Sequence, residues 1–293
     1  MWISLALLSA AASAATTMSL KTVVARGGIV VPIAGYRGVA GLVLAAIVVA
    51  LGLLPEPTAA YLRLTGLMVV PEVAGVLCMA AALRRGELSR VQPLFGTLPV
   101  FVMLSGMIVL GEMPTAVAAL GVVLVAMGLY VTGLRRGASW AEPLRELART
   151  PASWYALAAS VAWTFATMVH KAGIAEVGPL PWAMTICLAS SVGVLVASWV
   201  AATVRRFPDA DGIAAGTWRR IALTGAVFAV QQIGLQLALR DAPAAYVTAL
   251  TATSTVLATL LGIVALRERS APGRRLAAAA MVAAGAVLIA LGR

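Results

Sequence analysis

The sequence predicts an all-α polytopic membrane protein, ten transmembrane helices arranged as two inverted five-helix repeats, on three observations. Of its 293 residues 61% are hydrophobic and 11% charged, and the mean hydropathy is +0.98, far from the balance of a soluble domain. The stretch Ala82 to Glu112, ALRRGELSRVQPLFGTLPVFVMLSGMIVLGE, returns in diverged form 156 residues later as ALRDAPAAYVTALTATSTVLATLLGIVALRE, Ala238 to Glu268. At that offset Ala82, Leu83, Arg84, Val91, Leu94, Gly106, Leu110 and Glu112 meet identical residues, and a fixed-offset repeat of this length marks a duplicated unit. Five spans per copy is an odd number, so the second copy enters the membrane upside down relative to the first.

The opening MWISLALLSAAASAATTMSL imitates a signal peptide in its apolar run and small residues but lacks a basic n-region. Thr17, Met18 and Lys21 return as Thr167, Met168 and Lys171 at an offset of 150, so Trp2 to Leu20 is expected to be retained as the first helix. Further spans are expected at Gly38 to Leu54, Tyr61 to Leu83, Gln92 to Leu110, Thr115 to Gly133, Ser153 to Val169, Pro181 to Val204, Ile221 to Leu239, Tyr246 to Leu266 and Arg275 to Gly292. Most approach the ~20 apolar residues that a bilayer crossing needs. Pro55 and Pro57, Pro114, Pro151, Pro179 and Pro181, Pro208 and Pro272 mark the turns between them. The first repeat then covers 1–134, a polar linker 135–152, and the second repeat 153–293.

A net charge of +11 suggests nucleic acid in a soluble protein, but here the basic residues sit in short clusters between apolar runs, where they face cytoplasm and anionic membrane lipid. Nucleic acid is excluded as a partner. Of the 22 basic residues, 18 fall in the loops after helices 1, 3, 5, 7 and 9, Arg37 counted among them; Arg63, Lys171, Arg240 and Arg293 do not. The positive-inside rule therefore predicts cytoplasmic odd-numbered loops. Cys78 and Cys187 both lie in apolar runs, as packing residues rather than a disulfide or metal pair. With one histidine, no acid cluster and no glycine-rich nucleotide loop, the chain offers no enzyme constellation, no metal site, no cofactor and no ATP-driven pump.

Glu72 stands at the middle of the third span, in VVPEVAG. A carboxylate there costs about 3 kcal/mol by insertion-type estimates, so something must compensate it. Two readings are open: a cavity-facing acid that takes a coupling proton or a substrate cation, or a protonated or hydrogen-bonded residue between helices beside Pro71. Superposing Gly66 and Gly75 on Gly225 and Gly234 sets Glu72 against Gln231 at the same depth, so Glu72 with Gln231 or Gln232 is a candidate midplane site, with simple interhelical ties as the alternative. Ser13, Thr17 and Lys21, and likewise Trp163, Thr167 and Lys171, recur at spacings of four and form a stripe on the first and sixth helices. The stripe suits a cavity wall; each lysine alone also suits snorkelling to the headgroups. His170, beside Lys171 at the expected helix end, reads as an interfacial histidine or a proton relay. Thr251 and Ser254, with Thr248, Thr255 and Thr259, give the ninth helix hydroxyls that fit binding and packing equally. Glu112 and Glu268 stand at the turn after the fourth helix of each half and suit a helix cap or an arginine pair.

The lysines closing the first helix of each half (Lys21, Lys171), Arg37 opening the second, the endings LGE at Glu112 and LRE at Glu268, and the glycine-rich fifth helices resemble the drug/metabolite transporter superfamily, specifically its EamA type. The resemblance covers the whole chain. It implies a secondary transporter in the inner (plasma) membrane that moves a small-molecule substrate by alternating access, with export of an amino acid or related metabolite as the leading expectation and proton coupling as an option. A drug or other solute permease, or a non-transporting scaffold, are the alternatives. It also implies a cavity lined by helices 1, 3, 4, 6, 8 and 9, with the fifth and tenth helices away from it. Similar proteins usually have cytoplasmic termini, whereas the charges here predict the reverse. Oligomeric state is not legible in the sequence.

Overall fold

A computed structural model describes residues 1–24, 29–85, 97–133, 150–203, 217–254, 256–257 and 272–292. They form ten α-helices and no strand: α1 Trp2–Val24, α2 Val30–Ala50, α3 Ala59–Arg85, α4 Leu98–Ser105, α5 Ala116–Gly133, α6 Pro151–Val177, α7 Pro179–Thr203, α8 Thr217–Asp241, α9 Ala244–Ala252 and α10 Pro272–Leu291. Six of them, α1, α2, α3, α6, α7 and α8, are long and apolar enough to cross a membrane. The fourth helix does not end as an α-helix; it widens into a π-helical turn at Gly106–Leu110 and stops at Gly111, whose φ of +67° is open to glycine at little cost.

Several helices run past their expected bounds, two of them by about two turns. The second begins at Val30 rather than Gly38, which places Arg37 two turns inside it instead of in a loop. The sixth continues beyond Val169 to Val177 and ends at Gly178, φ +85°, so His170 and Lys171 lie two turns before the helix end. Both helices run on through apolar sequence, IVVPIAGY before Arg37 and AGIAEV after Lys171. What a hydropathy reading takes for a boundary is a charge that the fold compensates. Gln92, Pro93, Thr255, Thr259, Glu268 and the linker 135–149 lie outside the described residues.

Contacts sort the chain into two compact units, and each draws on both halves of the sequence: Trp2–Val73 with Val169–Arg240, and Ala74–Met168 with Asp241–Arg293. In the first, α2 packs along α7. Ala34 meets Ser191 through a 2.8 Å hydrogen bond, Ser191 Oγ to the Ala34 carbonyl, while Gly41 lies against Leu188. Later residues of α2 thus touch earlier residues of α7, and the two helices are antiparallel. In the second unit α5 packs along α10 in the same sense, Gly121 against Gly285 and Gly128 against Ala278, and α4 packs on α9. In the repeat order α2 corresponds to α7, α4 to α9 and α5 to α10. The antiparallel pairing of counterparts is what an inverted duplication produces.

Candidate functional site

The compact unit built on α2 and α7 encloses a charge cluster. Arg37 and Glu72 are 4% and 5% exposed, and Arg37 Nη1 donates to Glu72 Oε1 at 2.7 Å and to Ser190 Oγ at 2.8 Å. Ser190 passes its own hydrogen to the Cys187 carbonyl at 3.3 Å, so the hydroxyl is used as donor and acceptor. The guanidinium carbon lies 5.2 Å from the centroid of the Phe228 ring on α8 and 5.9 Å from that of Tyr36, within cation–π range of both. One ion pair therefore ties α2, α3, α7 and α8 together. Pairing offsets much of the cost of either charge alone, which is how an apolar helix tolerates Arg37 and Glu72.

The fifth contributor is α6. His170 is buried, its Nε2 stands 4.0 Å from Glu72 Oε2, and its Nδ1 accepts the indole N–H of Trp182 at 3.2 Å. Trp182, fully buried, meets Tyr61 edge-on at 6.4 Å, and the Tyr61 hydroxyl bonds Thr185 Oγ1 at 2.7 Å. These residues make a continuous polar and aromatic column from the start of α3 to the ion pair.

Among the residues singled out in the sequence, Glu72 is at the centre of this cluster. Among the described residues Gln231 and Gln232 do not bond to it: Gln232 Oε1 accepts from Gln236 Nε2 at 3.1 Å, while Gln231 Oε1 and Gln236 Oε1 are buried with no partner there. Lys171 reaches across to α8, where its Nζ donates to the Leu239 carbonyl at 2.9 Å and caps the last turn. Thr17 is exposed on α1, and the side chain of Lys21 lies outside the described residues. In the other unit Trp163 fills the space beside Gly75, Thr167 Oγ1 donates to the Trp163 carbonyl at 2.8 Å, and Thr251 Oγ1 donates to the Thr248 carbonyl at 3.1 Å. Ser254 is partly exposed. Glu112 accepts the Ala244 N–H at 2.8 Å through Oε2, so it caps the start of α9 rather than that of the helix following it.

Sequence reasoning missed Arg37 as the partner of Glu72, and with it Ser190, Trp182 and Gln236. The uninterrupted apolar run on both sides of Arg37 was the signal for the first; no local pattern announces the others.

The sequence model of the EamA-like transporter family matches residues 1–134 and 150–291. A solved structure named only "Crystal structure of protein" is similar with a TM-score of 0.72 and 19% identity, covering 99% of this chain and 95% of that chain; at that identity the likeness speaks for the fold. No curated protein matches.

Proposed function

Since the chain belongs to the EamA-like transporter family, it is a multi-pass membrane transporter of the drug/metabolite superfamily, and we propose that it is a secondary carrier exporting a small metabolite such as an amino acid by alternating access, with Glu72 as the site of the coupling proton or cation. The buried Arg37–Glu72 pair carries this reading. An apolar pair of the same volume would hold the helices together as well or better, so architecture alone gives no reason to keep two charges there. Protonating Glu72 cancels one charge and frees the other, and Arg37 is bonded to α3 and α7 at the same time. A single proton thus changes the contacts of three helices.

The repeats 1–134 and 153–293, joined by 135–152, are the elements that exchange conformation in this scheme. Gln231, Gln232, Thr17, Lys21, Trp163, Thr167, Lys171, Thr251 and Ser254 are assigned to the path of the substrate. The unpartnered carbonyl of Gln231 supports its place there; Thr167, Thr251 and Lys171 bond to helix carbonyls and exchange those bonds for substrate. Odd-numbered loops face the cytoplasm, an orientation that rests on the loop arginines without Arg37, which is buried.

The test is counterflow and uptake of a panel of labelled amino acids and metabolites in proteoliposomes, wild type against Glu72→Gln, with and without a pH gradient. The expected result is gradient-driven transport by wild type and gradient-independent exchange by the variant. Equal gradient-driven transport by both would remove Glu72 from the coupling mechanism.

A further inference from the structure

The reading of Glu72 as the coupling site leaves open what holds its second oxygen, and the inference here rests on that reading. Oε1 accepts from Arg37 at 2.7 Å, whereas Oε2 faces His170 Nε2 at 4.0 Å, about an ångström beyond hydrogen-bond reach. The other ring nitrogen of His170 is occupied by Trp182. An indole N–H donates and never accepts, so Nδ1 must offer its lone pair, and the neutral imidazole carries its hydrogen on Nε2, aimed at Glu72. The arrangement is built into the packing. The indole lies over Gly173, one turn beyond His170 on α6, where an added Cβ would stand 2.2 Å from Trp182 Cε2.

We propose that His170, its tautomer fixed by Trp182, is a positioning residue that replaces Arg37 as the hydrogen-bond donor to Glu72 when Arg37 withdraws in the transport cycle. The titratable and charged groups around Glu72 are Arg37 from α2, His170 from α6 and the Cys187 thiol from α7. Of these, Arg37 and His170 present N–H donors to the carboxylate. Closing the 4.0 Å gap keeps Glu72 hydrogen-bonded while Arg37 is engaged elsewhere. A donor on a carboxylate favours the ionised form. Removing the donor therefore alters how transport depends on pH.

The chain has a single histidine, so nitrogen NMR of the full-length, untagged protein isotopically labelled in histidine reports on this ring alone. Wild type is expected to show the hydrogen on Nε2 only, and Trp182→Phe, which keeps a ring but removes the N–H, to show a mixture of tautomers. A wild-type hydrogen on Nδ1, or the same spectrum in Trp182→Phe, overturns the proposal. In proteoliposomes the pH midpoint of gradient-driven transport is expected to move by about one unit in His170→Phe. It should stay near wild type in His170→Gln, whose amide restores a donor. A midpoint unmoved in both His170→Phe and Trp182→Phe also overturns it, even if both variants lose thermal stability. Absence of gradient-driven transport in wild type would instead sink the coupling role of Glu72, and the tautomer spectrum would still decide the arrangement of His170 and Trp182.

Discussion

Of the seams that join counterpart helices of the repeats, the one along α5 and α10 and the one along α2 and α7 are closed by different chemistry. Along α5 and α10 the backbones meet: a Cβ on Gly121 would lie 2.7 Å from the Gly285 carbonyl oxygen, and one on Gly285 2.6 Å from that of Gly121. Along α2 and α7 the glycine contact at Gly41 is followed by Ser190 and Ser191, which take hydrogen bonds to Arg37 and to the Ala34 carbonyl. Within a bilayer, close packing and interhelical hydrogen bonds rather than hydrophobic burial drive association. Among the described residues the middle of the first seam is glycine backbone against glycine backbone, and the Thr115 hydroxyl donates to the Gly292 carbonyl at its end. The second contains a buried ion pair. In the proposed mechanism the two divide the work: one surface stays shut and one polar contact is redistributed.

The largest effect that would separate the two seams is expected from Arg37→Met, which leaves Glu72 buried and unpaired. It should cost about 3–5 kcal/mol in denaturant unfolding of the detergent-solubilised protein. The double variant Arg37→Met, Glu72→Leu should recover most of that loss while abolishing gradient-driven transport. If the double variant is as unstable as the single one, the pair is not what destabilised it. A smaller loss, about 1–3 kcal/mol of overpacking, is expected from Gly285→Ala at the glycine seam. Combining it with Gly121→Ala should be less than additive because the two share one contact. The pH dependence of transport by these variants should match wild type, and a shifted profile would show the glycine seam taking part in coupling. The smallest effect belongs to Glu112→Ala, which uncaps α9 at about 1 kcal/mol. Faster hydrogen exchange of the Ala244 amide would report it, and Glu112→Gln, which keeps an acceptor, should leave that exchange near wild type.

The ten helices, the duplication and the need to compensate Glu72 were all legible in the sequence, because each follows from hydropathy, offset or the cost of an intramembrane carboxylate. The compensation itself was not. Arg37 lies 35 residues from Glu72, and a positive charge in an otherwise apolar run marks a helix boundary unless its partner is known. The end of α6 was misplaced for the same reason, since Lys171 looks like a terminus until Leu239 is seen to accept from it. Matching glycines set Glu72 and Gln231 at equal depth, but depth along a helix does not fix the direction of a side chain. Gln232 accepts from its own helix at Gln236. The threonine hydroxyls that pattern reading offered to a substrate are bonded in this state to carbonyls a turn earlier. The periodicity of a sequence carries no record of that competition.

Gly121 and Gly285 touch where α5 crosses α10. Counterpart helices meet there antiparallel, as in the isologous interface of a symmetric dimer, but within one chain. In a dimer of identical chains every substitution is made twice, and an acid near the axis would appear on both sides. A fused chain is free of that constraint. One half carries Glu72 and the other, at the matching depth, the neutral Gln231, so the asymmetry that allows a single ionisable acid is a consequence of joining the two halves in one polypeptide.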